Sequence, residues 1–332
     1  MKSFSVAVVG ATGLVGRKMV EVLEERRFPV GSLRLLASAK SAGKKIRFQG
    51  KDVEVRELRP TSFEGIELAF FSAGASVSKE FAPHIVAAGG LMIDNSSSFR
   101  MDDAVPLVVP EVNPHDIGKH RGIIANPNCS TIQMVVALKP LHDKWKIKRI
   151  VVATYQSVTG AGRPAVAQLE SEIAKEKDPP RKFLHPIAYN VLPHIDVFFD
   201  GGYTREETKM VNETKKIMGD DSIRVTATCV RVPVVGGHSE AVNVEFERPF
   251  EEKEVVETLR RAPGVCIQDD PKQGIYPMPI WSHEKDEVFV GRIRRDSTIA
   301  NGLNLWIVSD NLRKGAATNA VQIAEEWVKQ NT

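Results

Sequence analysis

A cysteine with a distinctive local sequence is the clearest candidate for chemistry. Cys129 lies in the segment NPNCST, and the apolar residues that follow it recur at helical spacing over residues 132–141. This arrangement predicts that the thiol lies at the first turn of a helix, where the helix dipole and free N–H groups stabilise a thiolate. A thiolate at neutral pH is a nucleophile. A buried hydrophobic cysteine is the alternative, and the local sequence alone leaves both open.

The other two cysteines lack such a context. Cys229 is predicted to lie in the middle of a strand and Cys266 in a loop, so both are interpreted as packing residues. Three cysteines, far apart in sequence and without a C-x-x-C pair, are typical of a protein in a reducing cytosol. The pattern favours neither a disulfide framework nor a zinc site, and we predict a cytoplasmic protein without a metal centre.

A reactive thiolate needs a proton carrier, and His238 is the best candidate among the eight histidines. In the segment RVPVVGGHSE a glycine pair precedes His238, and Arg231 comes seven residues earlier. We expect a mobile turn that presents both side chains to a ligand. Most of the other histidines lie in polar surroundings and are interpreted as surface or hydrogen-bonded residues.

Three glycines near the N-terminus indicate a dinucleotide site. Gly10, Gly13 and Gly16 form a G-x-x-G-x-x-G pattern in the segment VAVVGATGLVG, between a predicted strand and an amphipathic helix. Glycine allows the backbone to turn sharply and approach a pyrophosphate, whose charge is met by free N–H groups. A tight turn without a ligand is the alternative, but the first strand-to-helix turn is where a dinucleotide site is expected.

The end of the second predicted strand favours NADP over NAD. Sites for NAD usually place Asp or Glu there to bind the ribose 2′-hydroxyl, whereas residues 37–44 read ASAKSAGK. Hydroxyl groups and lysines suit a 2′-phosphate. The alternative is that Lys40 and Lys44 are ordinary charges of a surface loop.

The segments that must position these residues follow two patterns. The first 130 residues alternate short β-rich runs with helical runs, which is typical of a parallel sheet with helices on its faces. From about Lys146 onward, longer strands and long connections predict a mostly antiparallel second domain. The boundary is predicted near residues 127–129, and a final helix over residues 316–328 is expected to pack back on the first domain. The predicted strands are residues 5–9, 32–36, 66–72, 91–95, 150–156, 223–231, 241–247 and 304–309, and the predicted helices of the first domain are residues 14–25 and 76–88.

Composition excludes several classes of protein. The chain has 332 residues, of which 42% are hydrophobic and 26% charged, as in globular proteins with about two domains. Its net charge is +3, and positive and negative residues are interspersed along the chain. The sequence therefore shows no strongly positive region of the kind that binds nucleic acid. The longest apolar stretch, residues 81–93, is interrupted by His84 and a glycine pair and is far shorter than the roughly 20 residues that span a bilayer. Residues 4–9 are interpreted as a core strand rather than a secretory signal.

Together these motifs resemble a known family. The segments that carry the resemblance are, in order, VAVVGATGLVG, ASAKSAGK, IDNSSSFRMDDAVPLVVPEVN, NPNCST, TYQSVTGAGR, RVPVVGGHSE and DNLRKGAATNAVQIAE. With these segments the chain is similar over its whole length to the bacterial aspartate-β-semialdehyde dehydrogenases. The resemblance implies an α/β fold with a Rossmann-type dinucleotide-binding domain, residues 1–128 and 312–332. It also implies an α+β catalytic and dimerisation domain with a mostly antiparallel sheet, residues 129–311.

The resemblance also implies a reaction, which is the reversible reductive dephosphorylation of L-β-aspartyl phosphate by NADPH. The products are aspartate semialdehyde and phosphate, at the branch that leads to lysine, methionine and threonine. Cys129 would be the acylated nucleophile, His238 the general acid and base, and Gln156 the residue that orients the thiohemiacetal or thioester. The substrate would be bound by Arg231 at its α-carboxylate, Glu213 at its α-ammonium group, and Arg100, Lys216 and Asn128 at its phosphate.

The implied cofactor is NADP. The implied partners are the small-molecule substrates and a second copy of the chain in a homodimer, with a homotetramer as the alternative; neither nucleic acid nor a membrane is expected. The implied cofactor residues are Gly10, Thr12, Gly13, Leu14 and Val15 at the pyrophosphate, Ser38, Lys40 and Ser41 at the 2′-phosphate, Asn311 on the nicotinamide side, and Ser157 and Gly160 as further contacts.

Three alternative functions share part of this pattern. N-acetyl-γ-glutamyl-phosphate reductase uses similar cysteine chemistry, but its acylated substrate has no ammonium charge for Glu213 to bind. A non-catalytic dinucleotide-binding paralogue would lack the cysteine or the histidine, and this sequence has both. Glyceraldehyde-3-phosphate dehydrogenase also forms a thioester, but its usual S-C-T-T-N segment and the acidic end of strand two are not found in this sequence.

Overall fold

The structure is a computed structural model that describes residues 2–331. The chain forms two compact units. The first unit contains the residues up to Pro127 together with those from Ala316 onward, and the second unit contains Asn128–Gly315. None of the described helices is both long and apolar enough to cross a lipid bilayer.

A seven-stranded sheet, in the order β3-β4-β2-β1-β5-β6-β7, forms the centre of the first unit. All neighbouring strands are parallel except the edge pair β3 and β4, which is antiparallel. The expected parallel sheet is therefore confirmed, with an antiparallel edge strand that was not predicted. The strands are β1 (Phe4–Val9), β2 (Val30–Ala37), β3 (Lys45–Phe48), β4 (Lys51–Glu57), β5 (Leu68–Phe71), β6 (Leu91–Asp94) and β7 (Ile123–Ala125).

Helices cover both faces of this sheet because its central strands are apolar on both sides. In β1, Val6 and Val8 belong to one buried cluster, whereas Ala7 and Val9 belong to a second. The alternation follows from the two-residue period of a strand. Helices α1 (Leu14–Glu25) and α8 (Thr318–Asn331) contribute to the first cluster, and α2 (Ala75–Ala87) contributes to the second.

A six-stranded sheet, in the order β11-β12-β13-β10-β8-β9, forms the second unit. The three central pairs are antiparallel, and the two outermost pairs are parallel. The prediction of a mostly antiparallel sheet is confirmed. The strands are β8 (Ile147–Gln156), β9 (Arg224–Arg231), β10 (His238–Phe246), β11 (Val265–Ile267), β12 (Val288–Asp296) and β13 (Gly302–Ser309), and the helices are α3 (Cys129–Trp145), α4 (Arg163–Ile173), α5 (Arg205–Met218), α6 (Glu252–Arg261) and α7 (Pro279–Ser282).

Five strands were not predicted, namely β3, β4, β7, β11 and β12. Strands β3 and β4 alternate charged and apolar residues, which is a strand signal that the sequence analysis missed. Strand β7 has only three residues, and β12 carries three arginines and Gly291 within its apolar pattern. The prediction that Cys266 lies in a loop was wrong for a related reason, because Cys266 lies in β11, a strand of three residues.

Candidate active site

The register of the second sheet brings three candidate residues to one edge. Gln156 ends β8 and pairs directly with Arg231, which ends the parallel strand β9. On the other side of β8, the antiparallel strand β10 begins at His238, and Ser239 pairs with Tyr155. The ends of β8 and β9 and the start of β10 therefore lie together, so residues far apart in sequence meet.

Cys129 is the first residue of α3, and Asn128 is the N-cap of that helix. The Asn128 side-chain oxygen accepts hydrogen bonds from the N–H groups of Ser130 at 3.0 Å and Thr131 at 3.2 Å. Asparagine is among the preferred N-cap residues because it satisfies these otherwise unpaired donors. The cysteine is partly buried, and its position at the positive end of the helix favours a thiolate.

Gly315 lies against the nucleophile from a second direction. A Cβ atom at this position would lie 2.9 Å from the Cβ atom of Cys129. The Gly315 N–H donates to the carbonyl oxygen of Asp310 at 3.0 Å. A side chain here would push against the cysteine, so glycine leaves the space that the thiol needs.

Two buried carboxylates from α5 hold Asn128 in place. The Asn128 N–H donates to Oε2 of Glu213 at 2.6 Å, and the Asn128 amide nitrogen donates to Oε1 of Glu206 at 2.8 Å. Helix α5 begins with a capping box in which Thr204 and Glu207 exchange side-chain and backbone hydrogen bonds. The capping box stabilises the first turn of α5, and Glu206 and Glu213 both lie on this helix. Lys216, the predicted phosphate ligand, lies on the same helix.

Gln156 contacts one of the same carboxylates. Its Nε2 donates to Oε1 of Glu206 at 3.2 Å and to Oγ1 of Thr154 at 3.3 Å. The side chain is 1% exposed. Gln156 and Asn128 therefore share one acceptor, Glu206, which the sequence analysis did not single out.

His238 is fully buried at the start of β10, directly after the predicted turn, whose mobility stays a prediction. The preceding Gly236 and Gly237 do adopt positive φ angles of 78° and 81°, but they lead directly into a central strand. The imidazole Nδ1 accepts a hydrogen bond from the Ser157 N–H at 3.1 Å. The neutral ring then carries its proton on Nε2, and this buried atom has no hydrogen-bond partner among the described residues.

Burial, and then the nearby Arg231 cation, lower the pKa of His238 to about 3. The ring is consequently neutral at physiological pH. A neutral imidazole with its proton on Nε2 is able to donate a hydrogen bond from this nitrogen to a developing oxyanion.

Arg231 lies beside His238. Its Nη1 donates to the carbonyl oxygen of Ser157 at 2.7 Å, and its Nε is buried without a partner among the described residues. A Cβ atom at Gly160 would lie 2.9 Å from Nη1 of Arg231 and 3.2 Å from Nε2 of His238. Burial lowers the pKa of Arg231, and the Glu206 carboxylate opposes this shift. The free donor groups of the guanidinium suit a planar anion such as a carboxylate.

Asn311 accepts hydrogen bonds from two neighbouring turns of the site. Its Oδ1 accepts hydrogen bonds from Oγ1 of Thr159 at 3.0 Å, from Oγ of Ser157 at 3.4 Å and from the N–H of Gly237 at 3.2 Å. The Ser157 and Thr159 hydroxyls also contact each other. These contacts hold the turn that follows β8 against the turn that precedes His238. The structure thus gives Asn311 and Ser157 a positioning role that the sequence analysis did not predict.

The glycine motif of the first unit fits a pyrophosphate. Gly10 has a φ of 81°, and a Cβ atom there would overlap the carbonyl oxygen of Ser72. A Cβ atom at Gly16 would overlap the Gly10 carbonyl oxygen, so the first turn of α1 packs directly on the loop. Helix α1 begins after Gly13, has no side-chain cap and has no acidic residue in its first turn. Its N–H groups and dipole are therefore available to an anion.

The remaining predicted cofactor residues of the first unit lie on this loop and at the end of β2. Thr12 precedes α1, and its hydroxyl donates to Oγ of Ser41 at 3.3 Å. Leu14 and Val15 are the first two residues of α1. Ser38 and Lys40 are exposed on the short helical turn Ala39–Ser41 and its cap. The hydroxyl and lysine groups that suit a 2′-phosphate thus adjoin the loop that suits a pyrophosphate.

Arg100, a predicted phosphate ligand, lies in the first unit. Its Nε donates to the carbonyl oxygen of Asn126 at 3.0 Å, and its Nη2 donates to the carbonyl oxygen of Asn95 at 2.9 Å. These bonds anchor the buried guanidinium to the segments that follow β6 and β7. No phosphate contact of Arg100 follows from them, so its role as a ligand stays a prediction.

Comparison with known proteins agrees with this geometry. A family model described as semialdehyde dehydrogenase, NAD binding domain, matches residues 5–120, and one described as semialdehyde dehydrogenase, dimerisation domain, matches residues 138–314. The aspartate-semialdehyde dehydrogenase of Aquifex aeolicus is 57% identical, over 98% of each chain. That of Bacillus subtilis is 52% identical, over 99% of each chain.

Solved structures give the same result. The crystal structure of aspartate semialdehyde dehydrogenase II from Vibrio cholerae complexed with ASA has a TM-score of 0.96 and 49% identity, over 99% of each chain. The Candida albicans aspartate semialdehyde dehydrogenase with NADP has a TM-score of 0.78 and 27% identity, over 99% of each chain. The chain belongs to the semialdehyde dehydrogenases and, among them, to the aspartate-semialdehyde dehydrogenases of amino-acid biosynthesis.

Proposed function

We propose that this enzyme converts L-β-aspartyl phosphate reversibly to L-aspartate-β-semialdehyde and phosphate through a thioester on Cys129. The observation that carries the proposal is the position of Cys129 at the N-terminus of α3, behind a cap that two buried carboxylates hold. The reaction would supply the biosynthesis of lysine, through diaminopimelate, and of methionine and threonine.

Covalent capture divides the difficult reduction into two easier steps. The Cys129 thiolate attacks the acyl carbon, a carbon–sulfur bond forms, and phosphate leaves with the electron pair of the carbon–oxygen bond. A bound NADPH supplies hydride. The Nε2–H group of His238 donates a hydrogen bond to the oxyanion that hydride transfer creates. The hemithioacetal then collapses to the aldehyde as the carbon–sulfur bond breaks and its electron pair returns to the cysteine sulfur. Gln156 orients the thioester through its fixed amide group.

Charged groups of the second unit match the substrate. Arg231 binds the α-carboxylate through its free donors, and Glu213 binds the α-ammonium group. Lys216 and Asn128 bind the phosphate that leaves, whereas a role of Arg100 at the same anion remains a prediction from the sequence. Gly160 keeps the space above Arg231 and His238 open.

We propose NADP as the cofactor. Gly10, Thr12, Gly13, Leu14 and Val15 bind its pyrophosphate, and Ser38, Lys40 and Ser41 bind its 2′-phosphate. Support comes from the uncapped N-terminus of α1 and from the absence of an acidic residue at the end of β2 and directly after it, in residues 37–44. The Candida albicans relative with NADP is consistent with this choice. Asn311, Ser157 and Gly160 complete the nicotinamide side.

The same proposal extends to the domains and the assembly. Residues 1–128 and 312–332 bind the cofactor, and residues 129–311 carry catalysis and dimerisation. The match to a dimerisation-domain model supports a homodimer, with a homotetramer as the alternative. Mass photometry of the purified protein distinguishes the two.

The direct test is an assay of the reverse reaction. Purified protein should reduce NADP when aspartate semialdehyde and phosphate are both present, and more slowly with NAD. Cys129→Ala should abolish this activity, whereas the control Cys266→Ala should retain it because burial raises the pKa of that thiol. Mass spectrometry of the quenched enzyme should find the acyl group on Cys129. Phosphate-independent reduction, or an active Cys129→Ala enzyme, would contradict the proposal.

A further inference from the structure

Glu206 is a buried carboxylate that joins the segment of the nucleophile to the segment of Gln156. Its Oε1 accepts one hydrogen bond from Nδ2 of Asn128 at 2.8 Å and another from Nε2 of Gln156 at 3.2 Å. The side chain is 5% exposed. The proposed function gives Glu206 no role as nucleophile, substrate ligand or cofactor ligand.

The surroundings of Glu206 keep it ionised. Burial alone would raise its pKa, but the Lys209 cation and the hydrogen bonds from Asn128 and Gln156 outweigh burial and hold the pKa below its usual value. Lys209 Nζ lies 3.1 Å from Oε2 of Glu206 and 2.9 Å from Asp196. Oε1 is left for the two amides, and Oε2 is paired with the lysine.

An ionised carboxylate determines which way a neighbouring amide faces. It only accepts hydrogen bonds, so both amides must turn their NH₂ groups toward it. For Asn128, this turns Oδ1 to the opposite side, where it accepts from the N–H groups of Ser130 and Thr131. For Gln156, it places Nε2 on Glu206 and Thr154 and directs the carbonyl oxygen away from them.

We propose that Glu206 is a positioning residue that fixes the orientation of both amides, Asn128 beside the nucleophile and Gln156 beside the reacting group. The inference rests on the proposed roles of Cys129 and Gln156. A neutral side chain at position 206 would let each amide rotate by half a turn, because an amide can both donate and accept. A rotated Asn128 would no longer cap α3, and a rotated Gln156 would exchange its oxygen for its nitrogen.

The neighbouring Glu207 provides a matched control. It is buried on the same helix turn, but its carboxylate accepts from the N–H of Thr204 at 2.7 Å and from the N–H of Cys229 at 3.0 Å. It contacts neither amide among the described hydrogen bonds. Glu207→Gln should therefore lower the melting temperature without slowing turnover.

The test is a double-mutant cycle on the whole enzyme, with kcat, KM, NADPH affinity and melting temperature measured for each variant. Glu206→Gln should lower kcat about 10-fold or more, the usual effect of losing a hydrogen bond to a charged group, with NADPH affinity unchanged. In the Gln156→Ala background, the same substitution should lower kcat much less, because the two residues act together. Glu206→Asp, which keeps the charge, should recover part of the loss.

A second variant distinguishes a loss of protein stability from a loss of amide positioning by Glu206. The double substitution Glu206→Gln with Lys209→Met removes both charges of this pair, and Asp196, the other partner of Lys209, keeps its contact with Arg205 at 3.8 Å. The double variant should show the same loss in kcat. Strictly additive effects of Glu206→Gln and Gln156→Ala, or an equal kcat loss in Glu207→Gln, would overturn the inference.

Different experimental results would contradict the inference and the proposed function. Normal kcat in Glu206→Gln beside a slow Gln156→Ala enzyme would overturn the inference alone. Normal kcat in Gln156→Ala would overturn the proposed role of Gln156 and the inference with it. Neither result would affect the thioester on Cys129, which the acyl-enzyme measurement tests by itself.

Discussion

The carboxylate of Glu213 accepts a hydrogen bond from the backbone N–H of Asn128 at 2.6 Å, one residue before the nucleophile. Glu206 and Glu213 are seven residues apart and therefore lie on the same face of α5. One helix face thus presents two carboxylates to the start of α3. The residue that the sequence assigns to the substrate ammonium group also helps to hold the cap of the nucleophile helix.

Two substitutions at Glu213 should separate these roles. Glu213→Gln keeps an oxygen that accepts from the Asn128 N–H but removes the charge that meets the ammonium group. We expect kcat/KM for aspartate semialdehyde to fall about 10- to 150-fold, which corresponds to roughly 1.5–3 kcal/mol for a hydrogen bond to a charged group. Glu213→Ala should also slow the alkylation of Cys129 by iodoacetamide. Equal alkylation rates in the two variants would contradict the second role.

The sequence was sufficient to predict those elements of the fold and the site that depend on a local pattern of residues. The helix after Cys129 follows from its apolar spacing, and the loop of Gly10 follows from the strand and helix that flank it. The role of Glu206 could not be predicted, because it depends on the packing of α5 against α3 and β8. The sequence around it contains only a capping-box signal, Thr204 and Glu207.

The burial of His238 is a second case. A glycine pair before a histidine predicts a turn, and Gly236 and Gly237 do have the positive φ angles of one. The histidine nevertheless begins β10, which lies between β8 and β13 in the centre of the sheet. The pairing of His238 with Ser309 joins residues far apart in the chain, and no local pattern carries that information.

His238 should act as a neutral ring. Because burial and Arg231 lower its pKa to about 3, its protonation should not reduce kcat/KM of the free enzyme as the pH falls through about 6.5, the usual histidine pKa. His238→Asn should lower the rate about 10²- to 10⁴-fold, whereas the control His115→Asn, at an exposed site in the first unit, should not. An acid limb near pH 6.5 that disappears in His238→Asn would refute the neutral-ring assignment.

Lys40 should determine the preference for NADP. It is exposed at the end of β2, on the turn that also carries Ser41. Lys40→Asp should weaken NADP binding on the order of 10-fold and leave NAD binding unchanged or improved, since only NADP has the phosphate that a lysine attracts. Lys45→Asp, with the same charge change on β3, is the control. An unchanged ratio of the two dissociation constants would show that the phosphate is bound elsewhere.

The buried carboxyl group of Glu240 should lower the free energy of unfolding at neutral pH. Burial raises the pKa of this carboxyl well above its usual value, so the folded protein holds a proton that the unfolded chain releases. Stability therefore falls as the pH rises above about 4.5. Glu240→Gln should raise the melting temperature at pH 7 and flatten its pH dependence. The control is Glu245→Gln on the same strand as Glu240, where the half-buried carboxylate pairs with Lys148 of β8. This substitution should change the melting temperature little.

Arg231 and Glu213 are assigned to opposite charges of one zwitterion, and this assignment separates the enzyme from N-acetyl-γ-glutamyl-phosphate reductase. Arg231→Leu should remove the bidentate pair with the α-carboxylate and lower kcat/KM about 10²-fold or more, with little change in NADPH affinity. Its matched control is Arg224→Leu, at the exposed start of the same strand.

The unmutated enzyme provides the decisive comparison between the two substrates. Aspartate semialdehyde carries a free ammonium group, whereas N-acetyl-glutamate semialdehyde carries an uncharged amide, which would leave the buried Glu213 charge without its substrate partner. We expect kcat/KM to favour the first substrate strongly, and Glu213→Gln to reduce that preference because an amide tolerates either group. Equal use of the acetylated substrate would reject the aspartyl assignment and would leave the thioester chemistry of Cys129 intact.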